Sequence, residues 1–130
     1  MFRPEVILQK KSALFGAVVL VVIGTLMVPV IIPHIFHGFH VVHIGLHVGG
    51  MVLAVFITLI ASLAYFRLKT KRLLFTAVAF GMYIGAESLL LVDATWPSIY
   101  EILDLSLLEV GHVLTIGTLG LLALGMFRND

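Results

Sequence analysis

The stretch LFGAVVLVVIGTLMVPVII, residues 14 to 32, contains no charged side chain. A helix needs roughly 20 residues to cross about 30 Å of hydrocarbon, so this stretch is long enough to span a bilayer. It follows Lys10 and Lys11 and ends at Pro33. A basic start before an apolar run is also typical of a signal peptide, but this run is long and no small-x-small cleavage motif follows it. The stretch therefore predicts a membrane-spanning helix.

The composition of the whole chain supports the same interpretation. Hydrophobic residues make up 61% of the 130 residues and charged residues only 12%, whereas soluble domains carry about 25% charged residues. The net charge of +1 is too small to indicate a nucleic-acid partner. Because the chain has no cysteine, disulfides and thiolate metal sites are excluded. The chain is therefore predicted to be an integral membrane protein in contact with the lipid bilayer.

Two short polar segments, RLKTKR (67–72) and DATWPS (93–98), interrupt the apolar sequence after the first stretch. They leave four predicted spanning helices at about 12–32, 36–66, 72–93 and 100–127. Such short loops force neighbouring helices to be antiparallel, which favours an up-down four-helix bundle. The expected fold is thus all-α, with residues 1–130 forming a single transmembrane domain.

The positive charges predict the orientation of this domain. All Lys and Arg residues fall in the N-terminal segment, the loop between the second and third helices, or the C-terminal tail. These three places share one side of a four-span bundle, and cytoplasmic loops are enriched in Lys and Arg. We therefore expect a multi-pass protein of the plasma membrane with both termini cytoplasmic. Trp96 and Tyr100 on the opposite side are typical of an interfacial aromatic belt.

The segment HIFHGFHVVHIGLH, residues 34–47, contains five of the six histidines. At 100° per residue, His40, His43 and His47 lie within about 60° of one another on a helix, whereas His34 and His37 diverge from that face. His34 and His37 are therefore interpreted as interfacial residues that contact water and lipid headgroups.

Helix geometry also places other ionisable groups near the same depth. At about 1.5 Å per residue, His47 lies about 30 Å above Arg67, and Glu87 lies about 22 Å above Arg72. The Glu-x-x-His pair of the last helix lies about 24–27 Å above its C-terminal end. Ionisable groups within spans usually face the interior and mark function. The predicted layer comprises His43, His47, Glu87, Glu109 and His112, with His40 as a possible further member.

Imidazoles and carboxylates without thiolates are suitable ligands for zinc, copper(II) or iron. A single Glu-x-x-His motif is too little for a di-iron bundle, which uses two. His47 and His112 on different helices could instead bind a b-type haem between them. Glu87 and Glu109 could also simply hold helices together by pairing with histidines. No catalytic residues are predicted, because the chain has no nucleophile triad and no phosphate loop.

Two glycine pairs follow the small-xxx-small pattern that allows helices to approach closely. Gly45 and Gly49 lie on the second predicted helix, roughly opposite the histidines, and Gly81 and Gly85 lie on the third. We interpret them as packing surfaces, within the bundle or against a partner.

Several motifs resemble those of a group of small archaeal membrane proteins, most of them uncharacterised. They are RLKTKRLLFTAVAF (67–80), AES (86–88), LEVGHVL (108–114) and LGMFRND (124–130). The resemblance covers about the last two-thirds of the chain. Some members of this group resemble accessory subunits of the copper-dependent ammonia monooxygenase of archaea. The resemblance implies a membrane fold and association with other membrane subunits more than it implies an activity.

The expected function is therefore that of a non-catalytic membrane subunit of a larger metalloenzyme complex, with an outward-facing His/Glu metal site. Two alternatives remain open: a small b-type cytochrome that transfers electrons, and a metal-ion sensor or carrier. A reducible Soret band would favour the cytochrome.

Overall fold

The computed structural model describes residues 10–36, 38–96 and 106–128, without the side chains of residues 38–40. The described residues form helices and contain no strand, which confirms the predicted all-α class. The helices are α1 (Lys11–Leu26), α2 (Ile32–His34), α3 (Gly38–Leu68), α4 (Lys71–Thr95) and α5 (Leu107–Phe127). Four continuous helical segments are long and apolar enough to cross a membrane: Lys11–His34, Val41–Leu68, Lys71–Thr95 and Leu107–Phe127.

The first span runs from Lys11 to His34, close to the predicted bounds of about 12–32. A π-helical turn, Met27–Ile31, links α1 to α2 and contains Pro29. Proline lacks a backbone N–H, so it removes a hydrogen bond from a regular α-helix. The wider π-helical turn changes the backbone hydrogen-bond pattern locally. Pro33 then lies in the first turn of α2, where a missing backbone N–H is tolerated.

Membrane-spanning segments that are consecutive along the chain pack against each other. The α3–α4 and α4–α5 interfaces are extensive, the α1–α3 interface is smaller, and α1 and α5 share no extensive interface in the described part of the chain. A buried cluster joins α1, the π-helical turn, α3 and Leu91 of α4, and its other members are Val18, Val22, Val30, Ile44, Val48, Met51 and Val52. The spanning helices therefore pack in the order α1, α3, α4, α5, with α3 and α4 as the inner two.

The charged end of the bundle contains the turn between α3 and α4. Lys69 adopts a left-handed conformation with φ 57°, and its backbone N–H donates to the Tyr65 carbonyl oxygen at 2.7 Å, which ends α3. Arg72 Nε donates to the Arg128 carbonyl oxygen at 2.8 Å and so connects the start of α4 to the end of α5. The basic residues of these two elements therefore lie together at one end.

At the opposite end of the bundle, α5 begins with a capping interaction. The Ser106 side chain accepts a hydrogen bond from the Glu109 backbone N–H at 3.3 Å, the usual role of an N-cap serine. Glu109 thus lies in the first turn of α5, where a carboxylate also interacts favourably with the helix dipole.

Candidate functional site

The candidate site lies where α3 and α4 approach each other closely. At Gly50 of α3, an added Cβ atom would lie only 3.2 Å from both Cδ and Oε1 of Glu87. Any larger residue at position 50 would therefore press on the carboxylate. The absence of a side chain at Gly50 allows Glu87 to lie directly against the backbone of α3.

Glu87 is a buried carboxylate, with only 6% of its surface exposed. Its Oε2 atom lies 2.6 Å from Nδ1 of His47 on α3. Tyr83, one turn earlier on α4, interacts electrostatically with this carboxylate. Burial of a carboxylate in a membrane is costly unless it is paired, and the contact with His47 provides the pairing.

His43 extends the line of polar groups toward the surface. Its Nε2 atom lies 3.3 Å from Nε2 of His47, and the two rings are almost perpendicular, with centroids 4.7 Å apart. His43 is exposed, whereas the His47 side chain retains 17% exposure. We call the line His43–His47–Glu87 the polar line. It runs from the protein surface into the α3–α4 interface.

Proton positions along the polar line follow from its geometry. An ionised Glu87 can only accept hydrogen bonds, so with this charge state Nδ1 of His47 donates to it. In the neutral imidazole, Nε2 of His47 then has a lone pair that points toward His43. The polar line therefore presents a defined acceptor atom next to an exposed imidazole.

The other predicted site residues lie elsewhere. Glu109 and His112 are both exposed on α5, and α5 shares no extensive interface with α3 among the described residues. The side chain of His40 lies outside the described part of the chain, as does all of His37. Nδ1 of His34 lies 2.8 Å from the Val30 carbonyl oxygen, beside the π-helical turn.

The structure contains one of the contacts expected from the sequence but does not bring the whole predicted layer together. The expected contact between a histidine of the second spanning helix and an acid of another helix is present, between His47 and Glu87. No group of three or more His, Asp or Glu side chains in the described part of the chain is arranged to hold a metal. Metal binding by the full five-residue layer therefore stays a prediction.

The glycines divide into two groups. An added Cβ atom would lie 2.9 Å from Leu90 at Gly111, 2.8 Å from Met82 at Gly117 and 3.0 Å from Phe75 at Gly125, so these glycines allow α4 and α5 to pack closely. By contrast, no atom lies within 4 Å of an added Cβ at Gly45, Gly49 or Gly81. Gly85 makes only an ordinary contact, 3.9 Å from Leu114.

Sequence reasoning missed Gly50 and Tyr83 as members of the site. The small-xxx-small pattern identified Gly45 and Gly49, whereas the glycine that contacts the Glu87 carboxylate is the next residue, Gly50. Tyr83 precedes Glu87 by four residues, the spacing at which side chains on a helix interact, and this spacing could have identified it.

Comparison of the chain with protein-family models, with curated proteins and with solved structures finds no match.

Proposed function

We propose that the chain is a non-catalytic integral membrane subunit that contributes the polar line to a larger membrane complex. The observation that carries this proposal is the contrast between the two groups of glycines. Gly111, Gly117 and Gly125 are filled by side chains of α4, whereas Gly45, Gly49 and Gly81 have open space where a side chain would be. Small residues at an uncovered helix surface allow another helix to approach closely.

The polar line supports the same proposal. It ends at the exposed imidazole of His43, in a helix whose surroundings are otherwise apolar. Polar groups within a membrane are usually satisfied by neighbouring protein or by a ligand. A partner subunit beside α3 would cover this end of the polar line. Because of the resemblance to accessory subunits of the archaeal ammonia monooxygenase, that complex is the first candidate partner.

The proposed orientation has both termini in the cytoplasm and the polar line in the outer half of the plasma membrane. The basic end formed by the α3–α4 turn and the end of α5 supports it. Single cysteines at Thr70 and at Ser98 test it by labelling of intact cells with an impermeant thiol reagent. We expect labelling at position 98 and none at position 70, and the reverse pattern would contradict the orientation.

Membership of a complex is tested by extraction in a mild detergent at native abundance. We expect a tagged chain to co-migrate with other membrane proteins, in a particle much heavier than a detergent micelle that holds this chain alone. Gly49→Leu and Gly81→Leu should each release it as a folded chain, because the new side chain occupies the open surface. Gly120→Leu is the matched control, since its site is equally open but lies on α5, which shares no extensive interface with α3 among the described residues. A free monomer in the wild type would refute the proposal.

A further inference from the structure

We propose that His43 and His47 chelate one divalent transition-metal ion, Cu²⁺ or Zn²⁺, through their facing Nε2 atoms, with Glu87 as the positioning residue. This inference rests on the proposed function in that it identifies the ligand of the same polar line. It differs from the five-residue layer expected from the sequence, because only two side chains of the described residues coordinate the ion. Glu109 and His112 have no part in it.

The separation of the two nitrogens is the first argument. Nε2 of His43 and Nε2 of His47 are 3.3 Å apart. Two zinc–nitrogen bonds of about 2.05 Å at a tetrahedral angle place their nitrogens about 3.3–3.4 Å apart. The two histidines are also four residues apart on one helix, the spacing at which side chains share a helix face. A single ion can therefore bind both nitrogens with little rearrangement of α3.

The protonation state of His47 is the second argument. Metal-binding histidines usually donate their other ring N–H to a carboxylate or a carbonyl oxygen, which fixes the tautomer and the ring orientation. Nδ1 of His47, 2.6 Å from Oε2 of Glu87, makes this contact. Glu87 itself is buried between α3 and α4 and so acts through His47 rather than as a ligand.

The charge of the site is the third argument. The buried Glu87 carboxylate is about 22 Å from the basic start of α4, as judged from the helical rise, so those cations are too far away to compensate its charge. A divalent ion on Nε2 of His47 would provide positive charge one imidazole ring away. The neighbouring Tyr83 is neutral and contributes no charge.

Ligands other than these two histidines must come from outside the described chain. His43 is exposed and lies only about 8 Å along α3 from its first residue, so water can reach the ion from the outer mouth of the bundle. Two imidazoles leave two positions of a tetrahedral ion open. In the isolated chain we expect water in those positions, and in the complex we expect a partner side chain. Imidazole ligands suit both Cu²⁺ and Zn²⁺, and Cu²⁺ should bind more tightly.

The test is titration of the purified full chain in detergent micelles with CuCl₂ and with ZnCl₂, followed by calorimetry and, for copper, by electron paramagnetic resonance. We expect one Cu²⁺ per chain with nitrogen ligands and weaker binding of Zn²⁺. His43→Ala and His47→Ala should each abolish this binding. Glu87→Gln should weaken it by about 10–100-fold, as for other residues that orient a metal ligand. His34→Ala and His112→Ala are the controls and should bind as the wild type does.

His43 is exposed, so His43→Ala tests the site without disturbing the helix interface. Failure of the wild type to bind either ion would overturn the inference, as would binding that survives in His43→Ala or His47→Ala. If only the metal assignment is wrong, the wild-type chain should still co-migrate with its complex. Loss of co-migration in the wild type would instead refute the proposed function.

Discussion

Replacement of His47 by leucine should destabilise the protein strongly, because it leaves a buried carboxylate without its imidazole partner. Loss of a hydrogen bond to a charged group typically costs about 1.5–3 kcal/mol. His47 retains 17% side-chain exposure, so water can partly replace the imidazole. We therefore expect His47→Leu to lower the free energy of unfolding by about 2 kcal/mol.

The double variant His47→Leu/Glu87→Leu distinguishes loss of this pair from a general packing defect. Replacement of both partners of a hydrogen bond by apolar groups of similar shape is often nearly neutral for stability. The double variant should accordingly lie within about 1 kcal/mol of the wild type and be more stable than His47→Leu alone. The assay is reversible unfolding of the micelle-bound protein, followed by circular dichroism.

His43→Leu is the matched control, because His43 is on the same helix but exposed, and it should change stability by less than about 0.5 kcal/mol. A loss of stability in His47→Leu no larger than that in His43→Leu would contradict this prediction. So would a double variant that loses at least as much stability as His47→Leu and Glu87→Leu lose together, because His47 and Glu87 would then be energetically independent.

Two further predictions concern helix packing and capping, and the same unfolding assay measures both. Gly111→Ala should lower stability by about 1–3 kcal/mol because its Cβ would lie 2.9 Å from Leu90, whereas Gly120→Ala, with open space at that position, should be neutral or slightly stabilising. Equal effects of the two substitutions would contradict the α4–α5 packing. Ser106→Ala should cost about 0.5–2 kcal/mol because the Glu109 backbone N–H loses its acceptor, and Ser106→Asp should retain most of the stability.

The helices were largely predictable from the sequence because membrane spans depend on length and hydropathy alone. The second and third predicted helices correspond to α3 and α4, and the Lys69 turn lies in the predicted basic loop. The path of the first helix through Pro29 and Pro33 was not predictable. A proline indicates where a regular helix is interrupted, but the neighbouring residues determine whether the chain continues through a π-helical turn.

The site was predictable only in part, because helical depth and face can be calculated but the rotation of one helix against another cannot. Depth and face were sufficient for the contact between His47 and Glu87. The same calculation placed Glu109 and His112 in the layer, yet both are exposed in the structure. The face of α5 that contains Gly111, Gly117 and Gly125 packs closely on α4, so Glu109 and His112 lie on other faces. The largely apolar sequence of α5 has no clear periodicity that would indicate which face turns inward.

In the metal-free protein, Nδ1–H of His47 is expected to donate a hydrogen bond to the buried Glu87, while Nε2 faces His43. This arrangement can be measured by nitrogen-15 NMR of the protein labelled at histidine and held in micelles at neutral pH. We expect His47 to be protonated at Nδ1 and unprotonated at Nε2, and Glu87→Leu to remove this preference. A His47 ring protonated only at Nε2, or a spectrum unchanged by Glu87→Leu, would contradict this expectation.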